Sequence, residues 1–144
     1  MVSLIALYFF HELDTVVHFP SELNRKTFNY IIMNIYSIIA QVVIALSVGY
    51  VWIFRFDNIV KEFKQYGLSD LTRNMVGASK IALATLLITG IWFPTLVFIP
   101  ALSMAFLMIC AQYFHFKAKN PWFKHLPSLL LLALSLFVAI LAAK

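Results

Sequence analysis

The chain is poor in the residues on which many enzymes and crosslinked scaffolds depend. Cys110 is the one cysteine in 144 residues, so neither an intramolecular disulfide nor a CxxC redox pair can form. The four glycines build no Gly-rich phosphate loop, and no zinc-type Cys/His spacing occurs, so no metal centre is expected. Only 12% of residues are charged, and no carboxylate interrupts the long apolar runs, which removes the usual device for coupling ion movement to transport. Internal repeats and low-complexity tracts are also lacking.

What is present in excess is apolar surface. Hydrophobic residues make up 62% of the chain and the mean hydropathy is +0.89, more than a soluble core of this size can hide. The charges cluster between apolar blocks, which is the pattern of membrane spans. The formal net charge of +5 therefore reads as a record of orientation in a bilayer, and a nucleic-acid partner is not expected.

Four stretches approach the ~20 residues that a bilayer core requires: Tyr30–Phe54, Met75–Phe93, Thr95–Phe116 and His125–Ala143. Only "WFPT" separates the second from the third, which implies a tight antiparallel hairpin with Pro94 ending one helix. Pro100 falls in the first turns of the third span, where proline is tolerated. The opening "MVSLIALYFFHELDTVVHF" lacks a basic leader region and a small-residue cleavage site, and its apolar run breaks at His11. Residues 1–29 are thus expected as a peripheral N-terminal segment and residues 30–144 as the transmembrane domain. The expected fold is all-α, an integral membrane four-helix transmembrane bundle with a short amphipathic interfacial helix between spans one and two.

Orientation follows from the basic residues. Arg55, Lys61, Lys64 and Arg73 lie in the first connection and Lys117, Lys119 and Lys124 in the third, against Arg25, Lys26 and Lys144 on the opposite side. The excess of lysine and arginine on cytoplasmic loops places residues 55–74 and 117–124 in the cytoplasm and both termini outside, in a bacterial inner membrane. Within the first connection, Phe56, Ile59, Val60 and Phe63 recur at helical spacing opposite Lys61, Glu62 and Lys64. This predicts an amphipathic helix lying on the cytoplasmic membrane surface, stopped at Gly67 and followed by a new helix capped by Ser69 or Asp70. In "KAKNPWFKH", Trp122 and Phe123 sit among lysines, the composition of a membrane interface.

Polar residues inside the spans mark two features. Tyr30, Asn34, Ser37, Gln41 and Ala45 fall on one helix face; amides and hydroxyls are costly in hydrocarbon, so this face should turn to neighbouring helices. The second span has a small-residue stripe, Ala78, Ala82, Thr85 and Thr89, with Gly77 and Gly90 nearby, suited to close helix packing. The second feature lies at one depth. Lys80, Gln112, His115, His125 and Ser128 all fall in the cytoplasmic third of the bundle, where they form a candidate ligand-binding constellation. Lys80 lies about five residues from the membrane boundary, roughly 7–8 Å at 1.5 Å per residue. Its stem is long enough to snorkel, so it reads either as a topology anchor or as a partner for a polar or anionic group.

The segments "VKEFKQYGL", "RNMVGASKIALATLLI" and "AQYFHFKAKNP", in this order between apolar spans, resemble the DoxX-like family of small four-helix membrane proteins over about residues 30–143. In that family's pattern an acidic residue commonly occupies the last place of "VGxxE", where this chain has Lys80. The resemblance implies a membrane subunit linked to redox complexes or to membrane-protein assembly, and the family takes its name from a subunit of sulfur and quinol oxidation. Three functions are therefore expected to compete. The first is a non-catalytic subunit or assembly factor with a membrane-protein partner or a second copy of itself. The second is a quinone- or lipid-binding redox subunit in which Lys80, Gln112 and His115 donate hydrogen bonds to a carbonyl headgroup. The third is a small-solute carrier or channel using Asn34, Ser37 and Gln41.

Overall fold

Helix is the means by which a single apolar segment satisfies its own amides, and all regular structure among the described residues is helical. The computed structural model describes the backbone of residues 2–143 and the side chains of residues 23–143. Five α-helices follow one another: α1 Val2–Phe54, α2 Phe56–Gln65, α3 Asp70–Thr89, α4 Phe98–Lys117 and α5 Trp122–Ala142. A 3-10 turn, Pro94–Leu96, precedes α4. The chain divides into two compact units, Met1–Tyr36 and Ser37–Lys144. The described part of the first is helix throughout, and the second contains the rest of α1 and all of α2–α5.

Among the described residues three helical segments are long and apolar enough to cross a membrane: Leu23–Phe54, Pro94–Lys117 and Trp122–Ala142. The expected span at Met75–Phe93 is not one of them. Its helix, α3, is 20 residues long but carries Arg73, Asn74 and Lys80 in its first half.

Local signals set the helix ends. Ser69 caps α3, its Oγ accepting the Thr72 amide at 3.2 Å, as "GLSDLT" predicts. Gly67, with φ of 71°, ends α2 in the left-handed conformation, and two reversed bonds close the cap: Gly67 N–H to Lys64 O and Leu68 N–H to Phe63 O. The same pair of bonds closes α4, Lys119 N–H to Phe116 O and Asn120 N–H to His115 O. There the left-handed residue is Lys119, with φ of 51°. The hairpin between α3 and α4 is longer than "WFPT" suggests. α3 stops at Thr89, and Pro94 opens the 3-10 turn instead of ending a helix, because a ring that fixes φ and lacks N–H suits a first helical position.

The core of the second unit is drawn from Ile44 and Val48 of α1, Leu87 of α3, Met104 and Met108 of α4 and Val138 of α5. α4 and α5 share the most extensive interface. Of the predicted small residues of this segment, Gly77 and Gly90 are buried and Thr89 is half-buried, whereas Ala78, Ala82 and Thr85 are exposed, and Ala84 and Leu87 complete the inward face of α3. The cause is Trp52. Its ring lies so close over Gly77 that an added methyl would overlap it, which fixes the rotation of α3. Large apolar side chains such as Ile99, Phe106, Leu130 and Ile140 stay exposed on the outside, the surface a lipid solvent would cover.

The apolar face of α2 is also folded onto the chain's own bundle. Ile59 is buried, and Val60 and Phe63 are half-buried, while Phe56 of the same face is exposed, so this amphipathic helix turns much of its apolar side inward. Arg73 reinforces the contact by lying over the Phe56 ring, 5.5 Å from its centroid.

Candidate functional site

Three helix ends meet where α2 and α4 finish and α5 begins. Gln112, one turn before His115 on α4, reaches α5 with both ends of its amide. Its Nε2 donates to the His125 carbonyl and to Ser128 Oγ, each at 2.9 Å, and Ser128 Oγ donates to the same carbonyl at 3.1 Å. The carbonyl fixes which end of the Gln112 amide is the nitrogen, so Oε1 is left to accept from His125 Nδ1 at 2.9 Å. The other ring nitrogen, Nε2, faces the Asn120 carbonyl at 3.3 Å. Both nitrogens of His125 thus point at acceptors.

His115 has the opposite surroundings. The Tyr66 hydroxyl lies 2.8 Å from its Nδ1, and Asn120 Nδ2 lies 3.0 Å from the same atom and 3.0 Å from the hydroxyl. Gln65 Nε2 in turn donates to Asn120 Oδ1 at 3.4 Å. An amide nitrogen can only donate, so Nδ1 of His115 is an acceptor and the phenol is its donor. The two imidazoles lie side by side with centroids 5.3 Å apart, one set among acceptors and the other among donors.

Tyr66 is held for this task. Its ring stacks on Phe114 at 5.7 Å and meets His115 edge-on at 5.9 Å. Burial, together with the charge of Glu62, pushes its phenol up to about 12 against a partial opposing effect of the Asn120 amide. The hydroxyl is therefore a dependable donor. Glu62 itself lies 3.8 Å from Lys124 of α5.

Of the five predicted site residues, the structure joins Gln112, His125 and Ser128 in one network and seats His115 beside it. Lys80 is half-buried on α3 and has no ion pair within 4.0 Å among the described residues. The members that sequence reasoning missed are Tyr66, Asn120, Gln65 and Glu62. Their signals were a tyrosine directly before the Gly67 stop and an asparagine directly before Pro121. Along the predicted α1 stripe, Gln41 is buried and bonds Ser37 Oγ at 3.0 Å, Ser37 and Ala45 are half-buried, and Tyr30 and Asn34 are exposed.

Two cavities adjoin these elements. The larger, about 680 Å³, is an open groove between α3 and α4 lined by Ser79, Ala82, Leu83, Leu102, Ser103, Phe106 and Leu107. None of the network's residues lines it. A pocket of about 120 Å³ does reach the network, bounded by Gln65, Tyr66, Phe114, Lys117 and Ala118.

A family described as DoxX-like matches residues 36–138 by its sequence model. The chain belongs to the DoxX-like family. No curated protein and no solved structure matches it. With its three apolar helical segments, it is an integral membrane protein of that family. The DoxX-like region nearly coincides with the second compact unit, Ser37–Lys144, and contains the whole network and both cavities.

Proposed function

We propose that this DoxX-like protein is a non-catalytic subunit or assembly factor of a membrane complex, docking a partner's transmembrane helix, or that of a second copy, along the α3–α4 groove. The observation that carries this reading is how the polar residues are spent. Gln112, Ser128 and His125 have their hydrogen-bonding groups engaged with one another and with backbone, so they clamp α4 to α5 and are not free for a substrate. What faces outward is the groove, whose small residues Ser79, Ala82 and Ser103 let another helix backbone come close where lipid removes the hydrophobic drive for association.

In this reading α3 is a fourth membrane helix. Its charged first half emerges on the same side as the basic loops 55–74 and 117–124, in the cytoplasm of a bacterial cell. Gentle extraction followed by native mass measurement tests the proposal. An assembly larger than one chain is expected, and its yield should fall when Ala82→Phe fills the groove. A lone monomer under every extraction condition, or an assembly indifferent to Ala82→Phe and Ser103→Phe, would overturn it.

A further inference from the structure

The apolar segment Pro94–Lys117 ends on a lysine, and the pocket of about 120 Å³ opens at that end. A helix that crosses a membrane leaves the hydrocarbon at such an end, so the pocket lies at the depth of lipid headgroups. Its lining is mixed. Tyr66 and Phe114, stacked on each other, make an aromatic wall, Gln65 brings an amide and Lys117 an ammonium.

What the pocket offers is donors. Lys117 has no ion pair within 4.0 Å among the described residues, and the Gln65 amide gives one hydrogen to Asn120 Oδ1 and keeps the other. The Tyr66 hydroxyl is engaged by His115 and Asn120, so that residue presents its ring. Acceptors are turned away. No carboxylate is among the lining residues, and Glu62 faces Lys124. The carbonyls that end α2 and α4 would repel an anion if they were free, but those of Phe63, Lys64, His115 and Phe116 accept the amides of Leu68, Gly67, Asn120 and Lys119.

An apolar path leads away from these donors. Tyr113 and Cys110, four and seven residues before Lys117, share its side of α4, with Tyr113 exposed and Cys110 half-buried. A ligand fitted to both features carries an anion at one end and hydrocarbon at the other. We propose that the pocket between the ends of α2 and α4 seats the phosphate of an anionic phospholipid, with Lys117 and Gln65 donating to its oxygens and the acyl chains lying along Tyr113 and Cys110. A soluble phosphate ester shares the charged group but has no use for the apolar path. The site leaves the α3–α4 groove free, so it stands apart from the docking reading and is tested on the purified protein alone.

Native mass measurement in detergent, titrated with dioleoyl phosphatidylglycerol, reads the binding directly, and dioleoyl phosphatidylcholine, with the same chains and no net charge, should bind more weakly. Lys117→Gln should weaken phosphatidylglycerol binding by about fivefold, the effect of one cation at a membrane surface. Ala118→Leu fills the pocket with every lysine kept, and it should weaken binding as well. Lys61→Gln removes a charge from the same basic surface outside the pocket and should have the smallest effect. Glycerol phosphate at equal concentration should not displace the lipid. Equal losses in Lys117→Gln and Lys61→Gln, or full binding in Ala118→Leu, would show a diffuse attraction and overturn the site. Equal affinity for the two lipids, or displacement by glycerol phosphate, would overturn the anionic lipid as its occupant.

Discussion

Gln112 holds His125 at two points, accepting from ring Nδ1 and donating to the backbone carbonyl of the same residue, both at 2.9 Å. One amide thereby fixes the rotation of α5 about α4 at the start of the helix pair. Such double use is possible because a glutamine is both donor and acceptor, and because 13 residues of chain form a turn tight enough to bring α5 back beside α4.

Replacing this amide by a shape-matched apolar group should therefore leave several partners unsatisfied at once. Gln112→Leu strips the acceptor from His125 Nδ1 and a donor from Ser128, two groups that are buried. A loss of about 1–3 kcal/mol is expected, the cost of leaving a buried polar group without a partner. Chemical unfolding in detergent, with the exposed Tyr113→Leu as comparison, provides the check. A variant as stable as Tyr113→Leu would show that the amide is not a clamp.

The close approach of α1 and α3 gives a second expectation. The Trp52 ring occupies the space that a Cβ on Gly77 would need, so Gly77→Ala must displace an indole from a packed position. Overpacking of this kind costs about 1–3 kcal/mol. Trp52→Leu should restore much of the loss in the double variant, since it removes the ring that clashes. The measurement is a double-mutant cycle on thermal stability, and additive effects of the two substitutions would exclude the contact.

Lys119 is a lysine in a glycine's position. Its φ of 51° sits in the left-handed region, where a side chain is strained and glycine is not. Lys119→Gly should thus raise stability by about 0.5–1 kcal/mol if the cap is kept, whereas Gly67→Ala, at φ of 71°, should lower it by a similar amount. Opposite signs from two helix caps of the same design would be a direct reading of backbone strain, and a stabilising Gly67→Ala would contradict it.

These cases also mark how far the sequence could be read. The Ser69 cap and the Gly67 stop were legible because each is a local signal carried by a residue type with a specific backbone role. That Gln112, His115, His125 and Ser128 share a depth was legible from helix direction alone. Asn120 was not, because its place beside His115 depends on a left-handed turn at Lys119, and lysine carries no signal for one. Tyr66 reaches His115 across 49 residues, a pairing that helical periodicity does not encode. The inward face of α3 was misread because small residues occur on two sides of it, and only Trp52 decides between them. For α2, amphipathicity revealed an apolar face without saying whether lipid or the bundle would cover it.

The phenol of Tyr66 yields an alkaline prediction whose direction follows from its shift. Burial raises it to about 12 in the folded protein, above the value of about 10 for an unfolded tyrosine. The contribution to stability is then present in full below about pH 10 and is lost as pH rises toward about 12, because the unfolded chain releases this proton first. Subtracting the phenolate absorbance of Tyr66→Phe from that of the unsubstituted protein isolates the one group among six tyrosines. The difference should stay flat through about pH 10, the ordinary range of a phenol, and rise only as pH approaches about 12. If Tyr66 ionises near about pH 10, as an unperturbed phenol does, the phenol is not enclosed by Phe114, His115 and Asn120, and the clamp between α2 and α4 loses its central bond.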